Sequence, residues 1–226
     1  MRAVIFDVDG TLVDSERDGH RVAFNRAFAD HGLPYRWDVE PYGDLLETTG
    51  GSQRLHRFLE AEGMAEEKRA ELVPKLHARK NEAFLELVTT GAVEARPGVH
   101  QLLDALEEAG VRLAVATTGS RAWVGPLLDD LFGAGRFSPV VTGDDVEVRK
   151  PDPSAYVQTV DALGLPAGQL LAVEDSANGL QAARAAGLAC VMVVNDYTAG
   201  QGTDGAALVV DSFEDLDLDT LAGLVP

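Results

Sequence analysis

Two pairs of carboxylates in the sequence each directly follow a short apolar run. Asp7 and Asp9 come after the first run, and Glu174 and Asp175 come after a later one. In open α/β sheets, ligands bind beyond the carboxyl ends of the strands, where these side chains would meet. An all-oxygen group of carboxylates suits a hard cation, and Mg²⁺ prefers one or two carboxylates together with water and phosphate. We therefore predict that these four residues form a Mg²⁺ site.

Two further segments contain groups that could hold a phosphate. Thr117 and Thr118 follow an apolar run and begin a turn of small and hydroxyl residues that opens a helix, which suits an anion. Pro151 disfavours a helical conformation at Lys150, the residue before it. A metal ion and Lys150 would together neutralise an incoming phosphate and the nucleophile. One carboxylate could then attack phosphorus to form an aspartyl phosphate, while a second one transfers protons.

The first acidic pair also has a purely structural interpretation. Asp9 and Gly10 would suit a tight turn in which an Asp caps a helix. The other strand ends carry Thr117, Lys150 and Glu174, and a parallel sheet would bring all of them to one edge. This combination favours the chemical interpretation over a simple turn.

Short apolar runs and helical stretches alternate along much of the chain. The runs show little alternation, which is typical of strands buried on both faces of a parallel sheet; they span residues 3–6, 111–116, 140–142, 170–173, 189–193 and, more weakly, 208–210. Helices predicted over 99–109, 154–163 and 178–186 each stop at a Gly, the usual signal of a helix end. This order predicts an α/β fold with a doubly wound parallel sheet.

Residues from about 15 to 92 contain no convincing strand. Helices are predicted over 17–30, 52–62 and 66–88, each with apolar residues at helical spacing. Pro74 is expected to break or restart the last of these helices. An all-helical insertion directly after the first strand is typical of a cap. We predict a core of residues 1–14 and 93–226 and an α-helical cap of residues 15–92.

Composition restricts the possible partners. The 226 residues include 19 Lys and Arg against 37 Asp and Glu, a net charge of −18, which argues against a nucleic-acid partner. The single cysteine, Cys190, excludes an intramolecular disulfide and suits a reducing compartment. We find no apolar run of the roughly 20 residues that a membrane span needs, and no signal peptide. We therefore expect a cytoplasmic monomer with neither a nucleic-acid nor a membrane partner.

The motifs resemble those of the haloacid dehalogenase (HAD) superfamily, in the subclass with an α-helical cap, over essentially the whole chain. The segments that carry the resemblance are Asp7-Val8-Asp9-Gly10-Thr11, Thr117, Lys150 and Glu174-Asp175. It implies a HAD-like Rossmannoid core in which Asp7 is the nucleophile. Asp9 would be the general acid/base and would also offer its backbone carbonyl to the metal. Thr117 and Lys150 would hold the phosphoryl group, and Glu174 and Asp175 would bind Mg²⁺.

Within the superfamily, the second Asp of the first motif points to phosphatases and phosphomutases, since the dehalogenases lack it. Segments 16–21 and 48–54 are similar to the CbbY-type branch, which is close to β-phosphoglucomutase and implies hydrolysis of xylulose 1,5-bisphosphate. The substrate-binding residues expected on this basis are Glu16, His20, Thr49, Gly50, Gly51, Arg54 and, in the core, Thr118.

The segment around Gly50 and Gly51 also has physical features of an anion site. Two glycines before a helix start would expose N–H groups, and Arg54 would add a positive fork. The alternative is an ordinary N-cap with a surface arginine. Ser52 stands where CbbY-type proteins more often have Lys.

These observations predict a Mg²⁺-dependent phosphatase of small phosphorylated sugars that forms an aspartyl phosphate. Xylulose 1,5-bisphosphate is the first choice of substrate. A β-phosphoglucomutase-like phosphotransferase is the alternative enzyme, and a non-catalytic protein that binds a phosphorylated metabolite is the alternative of another class. Retention of both Asp7 and Asp9 argues against the latter, since a sensor needs only binding groups.

Overall fold

The computed structural model describes residues 1–46, 48 and 50–225. The chain divides into two compact units, a core unit of Met1–Asp14 with Glu94–Pro226 and a helical unit of Ser15–Val93. In the part of the chain that the structure describes, no helix is long and apolar enough to cross a membrane.

The core unit contains a parallel sheet of six strands in the order β3-β2-β1-β4-β5-β6. The strands are β1 (Ala3–Phe6), β2 (Arg112–Ala116), β3 (Val140–Val141), β4 (Leu170–Glu174), β5 (Ala189–Val193) and β6 (Leu208–Val210). This architecture confirms the predicted α/β fold. The first strand lies between β2 and β4, so that the residues following these three strands meet at the centre of one sheet edge.

Helices of the core unit connect the parallel strands. They are α5 (Val99–Glu108), α6 (Arg121–Phe132), α7 (Ser154–Leu163) and α8 (Ala177–Ala185), whereas α9 (Leu218–Gly223) follows the last strand. The helix α6 begins directly after the turn at which a helix was predicted to open, and α7 begins and ends as predicted. Successive strand side chains point to opposite faces, so the sheet needs apolar cover on both sides. Ile5 packs on one face with Tyr156 of α7, and Phe6 contacts Phe137 on the other with ring centroids 6.2 Å apart.

The helical unit contains no strand among its described residues. It begins with a π-helical turn, Glu16–His20, and continues with α1 (Arg21–Asp30), α2 (Val39–Leu45), α3 (Gly51–Ala61) and α4 (Glu66–Thr89). The expectation that Pro74 breaks the last helix was wrong, because α4 runs through it without interruption. A proline costs one backbone hydrogen bond. The long α4 offsets this loss by packing against both α1 and α3 along its length.

An aromatic cluster forms the centre of the helical unit. Trp37 is buried against Phe24 and Phe28, with ring centroids 4.7 and 5.0 Å away, and lies 5.6 Å from the ring of Tyr42. Such pairs add to the stabilisation that burial of their large apolar area provides. The cluster fixes the position of Tyr42, a fully buried residue whose hydroxyl group is polar.

Candidate active site

Asp7 follows β1 directly and lies between the two neighbouring strands. Its backbone N–H donates to the carbonyl of Val173 at 3.0 Å, which continues the pairing of β1 with β4 by one residue. Its carboxylate is buried, and Oδ1 accepts a hydrogen bond from Lys150 Nζ at 2.6 Å. Asp9, two residues later, is half-buried. The sheet therefore presents Asp7 in a fixed orientation at its carboxyl edge.

Lys150 connects three of the strand ends. Its ammonium group donates to Asp7 Oδ1 at 2.6 Å, to Glu174 Oε1 at 2.6 Å and to the carbonyl of Ala116 at 2.7 Å. An ammonium group has three N–H donors, so all of them are directed at protein oxygens. In this arrangement Lys150 orients and neutralises the carboxylates.

Glu174 ends β4 and is fully buried. Its Oε1 accepts from Tyr156 OH at 2.7 Å as well as from Lys150, and its Oε2 accepts from the N–H of Asp175 at 3.3 Å. Gly179 of α8 packs directly against this carboxylate, where a Cβ would overlap it. The side chain is thus held from the sheet, from α7 and from α8.

Asp175 is held by side chains from two other strand ends. Its Oδ2 accepts from Asn195 Nδ2 at 2.8 Å, and its Oδ1 accepts from Thr11 Oγ1 at 3.3 Å. Gly10 approaches it closely as well, with a φ of +79° that L side chains rarely adopt and no room for a Cβ beside the carboxylate. The Gly10 position therefore requires glycine for both conformational and steric reasons.

Asp7, Glu174 and Asp175 form a group that could hold a metal ion, with one oxygen of each within 4.8 Å of the others. The carboxylate of Asp9 is not part of this group. If Asp9 binds the ion, its backbone carbonyl is the atom expected to do so. Burial raises the pKa of Asp7 to about 7, with Glu174 adding to the rise and Lys150 acting against it. Burial, Asp7 and Glu174 raise the pKa of Asp175 well above its usual range. These shifts reflect an excess of buried negative charge.

A divalent cation fits this group of residues. The donors are carboxylate oxygens, which hard cations prefer, with no Cys or His among them. Burial acts to lower the pKa of Lys150, but its ion pairs with Asp7 and Glu174 outweigh this and raise it, so the lysine carries a positive charge. When all three carboxylates are ionised, one ammonium group leaves two negative charges, which a divalent cation would balance.

The turn after β2 places the two predicted threonines differently. Thr117 is fully buried; its N–H donates to the carbonyl of Val141 at 3.0 Å, and its Oγ1 accepts from the N–H of Gly119 at 3.1 Å. Thr118 is half-buried, and its carbonyl lies against Gly143, where a Cβ would overlap it. The turn is therefore tightly packed, and the Thr117 hydroxyl stabilises its backbone.

In the helical unit, a tyrosine that the sequence did not single out joins two predicted substrate-binding residues. Tyr42 OH donates to Glu16 Oε2 at 2.6 Å and accepts from Arg54 Nη1 at 2.8 Å. Arg54 also donates through Nε to the carbonyl of Leu45 at 3.1 Å. Its side chain is 7% exposed, so the alternative of a surface arginine was wrong.

The other described residues predicted in this unit lie near the start of α3 or in the π-helical turn before α1. Gly50 precedes α3 with a φ of +88°, and its carbonyl accepts from the N–H of Arg54 at 2.9 Å. Gly51 is the first residue of that helix. His20 is buried against Phe84, with ring centroids 3.9 Å apart. Thr49 lies outside the described residues.

Several residues that hold the carboxylates received no role from the sequence. Asn195 could have been found, because it closely follows an apolar run, as Asp7 does. Thr11 belongs to the first motif but is not itself acidic or basic. Tyr156 has no local signal, since its hydrogen bond to Glu174 spans 18 residues and depends on how α7 packs on the sheet.

The close approach of Gly179 to Glu174 gives a testable prediction. We expect Gly179→Ala to destabilise the protein by about 1–3 kcal/mol, because the new methyl group must displace a packed carboxylate. This corresponds to a fall in Tm of about 2–12 °C for a chain of this size. Thermal denaturation measures the change. Gly125→Ala is the matched control, a helical glycine with open space within 4 Å of the position that a Cβ would take, and an equal loss there would contradict the steric explanation.

Comparison with known proteins agrees with this geometry. Residues 1–187 match the family model of haloacid dehalogenase-like hydrolases. Protein CbbY of Rhodobacter capsulatus is 42% identical over 211 residues, covering 91% of this chain and 91% of that protein.

Two solved structures of CbbY from Rhodobacter sphaeroides are also similar. One, in complex with phosphate, is 39% identical with a TM-score of 0.84 and covers 98% of this chain and 99% of its own. The other, a variant in complex with xylulose-(1,5)bisphosphate, is 38% identical with a TM-score of 0.84 and the same coverage. The chain therefore belongs to the haloacid dehalogenase-like hydrolase family, which confirms the family and the enzyme class predicted from its motifs.

Proposed function

We propose that this protein is a Mg²⁺-dependent phosphatase of small sugar phosphates, with xylulose 1,5-bisphosphate as its substrate. The observation that carries the proposal is the buried group of Asp7, Glu174 and Asp175 around Lys150 at the carboxyl edge of the sheet. Such a group combines a potential nucleophile with a site for a hard cation.

In the first half of the proposed reaction, Asp7 attacks the phosphorus atom of the ester. Lys150 holds Asp7 Oδ1 and thereby orients the carboxylate before the attack. The bond between phosphorus and the sugar oxygen breaks as the bond to Asp7 forms. Asp9 donates a proton to the leaving oxygen, which departs as an alcohol. The product is a phosphoryl group on Asp7.

In the second half, water replaces the sugar. Asp9, now a carboxylate, takes a proton from the water molecule that attacks the phosphoryl group on Asp7. The bond between phosphorus and Asp7 breaks, inorganic phosphate leaves, and the carboxylate of Asp7 is regenerated. A general acid in the first step thus serves as the general base in the second.

Asp7, Glu174 and Asp175, with the backbone carbonyl of Asp9, would hold Mg²⁺. When bound, the ion supplies positive charge that lowers the repulsion between a phosphate and the carboxylates. Lys150 contributes to the same neutralisation through its two ion pairs. Thr117 and Thr118 would support the phosphoryl group through the turn after β2.

The choice of substrate is supported by the structure of the CbbY variant with xylulose-(1,5)bisphosphate, which is 38% identical to this chain. We propose that Glu16, His20, Arg54 and the segment containing Thr49, Gly50 and Gly51 recognise the part of the substrate that does not react. Arg54 would bind the second phosphate, and Tyr42 would orient the Arg54 side chain through the hydrogen bond of 2.8 Å between them.

Arg54→Ala tests this assignment. A hydrogen bond to a charged group contributes about 1.5–3 kcal/mol, so we expect kcat/KM for the bisphosphate to fall about 10- to 150-fold. Hydrolysis of an aryl phosphate should change little, because that substrate has no second phosphate. Steady-state kinetics with both substrates provide the measurement. The amount of inorganic phosphate released per bisphosphate consumed separates the two enzyme classes, because a phosphotransferase would release no inorganic phosphate.

Arg57→Ala is the matched control, since Arg57 lies on the same helix, is exposed and donates to Thr48 Oγ1. We expect it to leave both reactions unchanged. Ser52→Lys is the converse variant and should strengthen the bisphosphate reaction alone, more at low salt than at high salt. Equal slowing of both substrates in Arg54→Ala would show that the arginine supports the helical unit and does not bind the second phosphate.

A further inference from the structure

Arg96 donates to an unusual set of acceptors at the carboxyl edge of the sheet. Its Nη1 lies 2.7 Å from the carbonyl oxygens of both Gly10 and Val193, and its Nη2 lies 2.7 Å from that of Val194 and 3.3 Å from that of Asp211. The side chain is half-buried, so these hydrogen bonds are partly shielded from solvent. One guanidinium group thus joins the loop after β1 to the chain leaving β5 and β6.

These carbonyls belong to the segments that position the candidate metal ligand Asp175. The carbonyl of Gly10 accepts from Asn195 Nδ2 at 3.1 Å as well as from Arg96, and the same Nδ2 donates to Asp175 Oδ2 at 2.8 Å. Val194 immediately precedes Asn195 in the chain. Arg96 therefore contacts both the carbonyl that the Asn195 amide binds and the residue that precedes Asn195 in the chain.

The geometry requires arginine. Its planar guanidinium carries five donors in a rigid fork, whereas a lysine ammonium is a single compact group on a flexible stem. The guanidinium carbon also lies 5.7 Å from the ring centroid of Phe213, which supports the plane of the fork from one side. Lysine would keep the charge and lose the simultaneous contacts to three separate segments.

We propose that Arg96 is a positioning residue for the metal site, acting on Asp175 through the Gly10 carbonyl and the Asn195 amide. This rests on the proposed function, in which Asp175 binds Mg²⁺. Residues that orient metal ligands typically change metal affinity about 10- to 100-fold when they are substituted. Arg96 itself contacts neither the ion nor the substrate in this scheme.

An electrostatic role and a positioning role of Arg96 predict opposite changes in Mg²⁺ affinity when its charge is removed. The positive charge of Arg96 acts at Asp175, where the cation would bind, so a purely electrostatic role would oppose the cation through repulsion of like charges. Removing the charge in Arg96→Met would then tighten Mg²⁺ binding. The positioning role predicts weaker binding in Arg96→Met and also in Arg96→Lys, where the charge remains.

Calorimetric titration of the full chain with MgCl₂ provides the test. We expect Arg96→Lys to raise the Kd for Mg²⁺ about 10-fold or more, and saturating Mg²⁺ to restore kcat for an aryl phosphate. Asn195→Ala should weaken binding similarly, and the double variant should show less than the sum of the two effects because both act on Asp175. Arg112→Lys is the control. Arg112 is the first residue of β2, at the end of the strand away from the candidate metal site, and it donates to the carbonyl of Leu163.

The outcomes separate the two proposals. A wild-type protein that binds no Mg²⁺ would overturn the metal role and the positioning role with it. The positioning role alone would be overturned if the wild type binds Mg²⁺ and the Kd of Arg96→Lys lies within twofold of the wild-type value. Tighter Mg²⁺ binding by Arg96→Met than by the wild type would overturn it as well. If Arg96→Lys does not fold, Asn195→Ala decides, because unchanged Mg²⁺ affinity there would break the proposed connection to Asp175.

Discussion

We expect the Asp7→Asn protein to fold and to lose at least about 10⁴-fold in turnover, equivalent to about 5.5 kcal/mol in the activation barrier. An amide oxygen is a poor nucleophile towards phosphorus, so the covalent intermediate cannot form. The substitution preserves the shape of the side chain and leaves an acceptor for Lys150 Nζ, which is why the fold should survive. Hydrolysis of an aryl phosphate measures turnover, and circular dichroism with thermal denaturation measures folding.

Asp217→Asn is the control for a general effect of removing a carboxylate from the core unit. Asp217 caps α9 through a hydrogen bond of 2.7 Å from the N–H of Thr220, and Asn is an equally good capping residue. Its turnover should match the wild type. Acid quenching during turnover, followed by mass spectrometry, should find a phosphoryl group on the peptide containing Asp7 in the wild type and none in Asp7→Asn. Activity of Asp7→Asn within about tenfold of wild type would exclude the covalent mechanism.

Metal removal has the second large expected effect. Exhaustive chelation should reduce turnover at least about 100-fold, and Mg²⁺ should restore it. Without the ion, a phosphate would approach three buried carboxylates that only Lys150 offsets in this group. Ca²⁺ should restore little activity, because it prefers longer and more numerous oxygen contacts than Mg²⁺. Phosphate release before and after chelation, and with each ion added back, provides the measurement.

A binding readout is independent of catalysis. Mg²⁺ at about 100 times its Kd should stabilise the folded protein by about 2.7 kcal/mol, measurable as a rise in Tm. Asp175→Asn should abolish most of that rise, whereas Asp217→Asn should retain it. Full activity after exhaustive chelation would remove the metal from the mechanism, and an unchanged Mg²⁺ response in Asp175→Asn would remove that residue from the ligand set.

Long-range packing explains where the sequence and the structure differ. The rule that a proline ends a helix is local, but α4 continues through Pro74 because α1 and α3 pack along it. Arg54 was open to interpretation as a surface residue, because the sequence around it does not show which polar groups would bind its guanidinium group. The tertiary structure places Tyr42 and Glu16 beside it, and these partners come from residues 12 and 38 positions away.

Local patterns along the chain were sufficient to establish the class of fold, the family and the residue types at the strand ends. Apolar runs of strand length, glycines at helix ends and paired carboxylates can each be recognised from neighbouring residues. How those carboxylates are held follows only from the folded chain. Lys150 directs its three donors to Asp7, Glu174 and the Ala116 carbonyl. Asn195 joins Asp175 to the Gly10 carbonyl, which also accepts from Arg96. These hydrogen bonds join residues tens to more than a hundred positions apart, and only the folding of the parallel sheet brings their atoms within bonding distance.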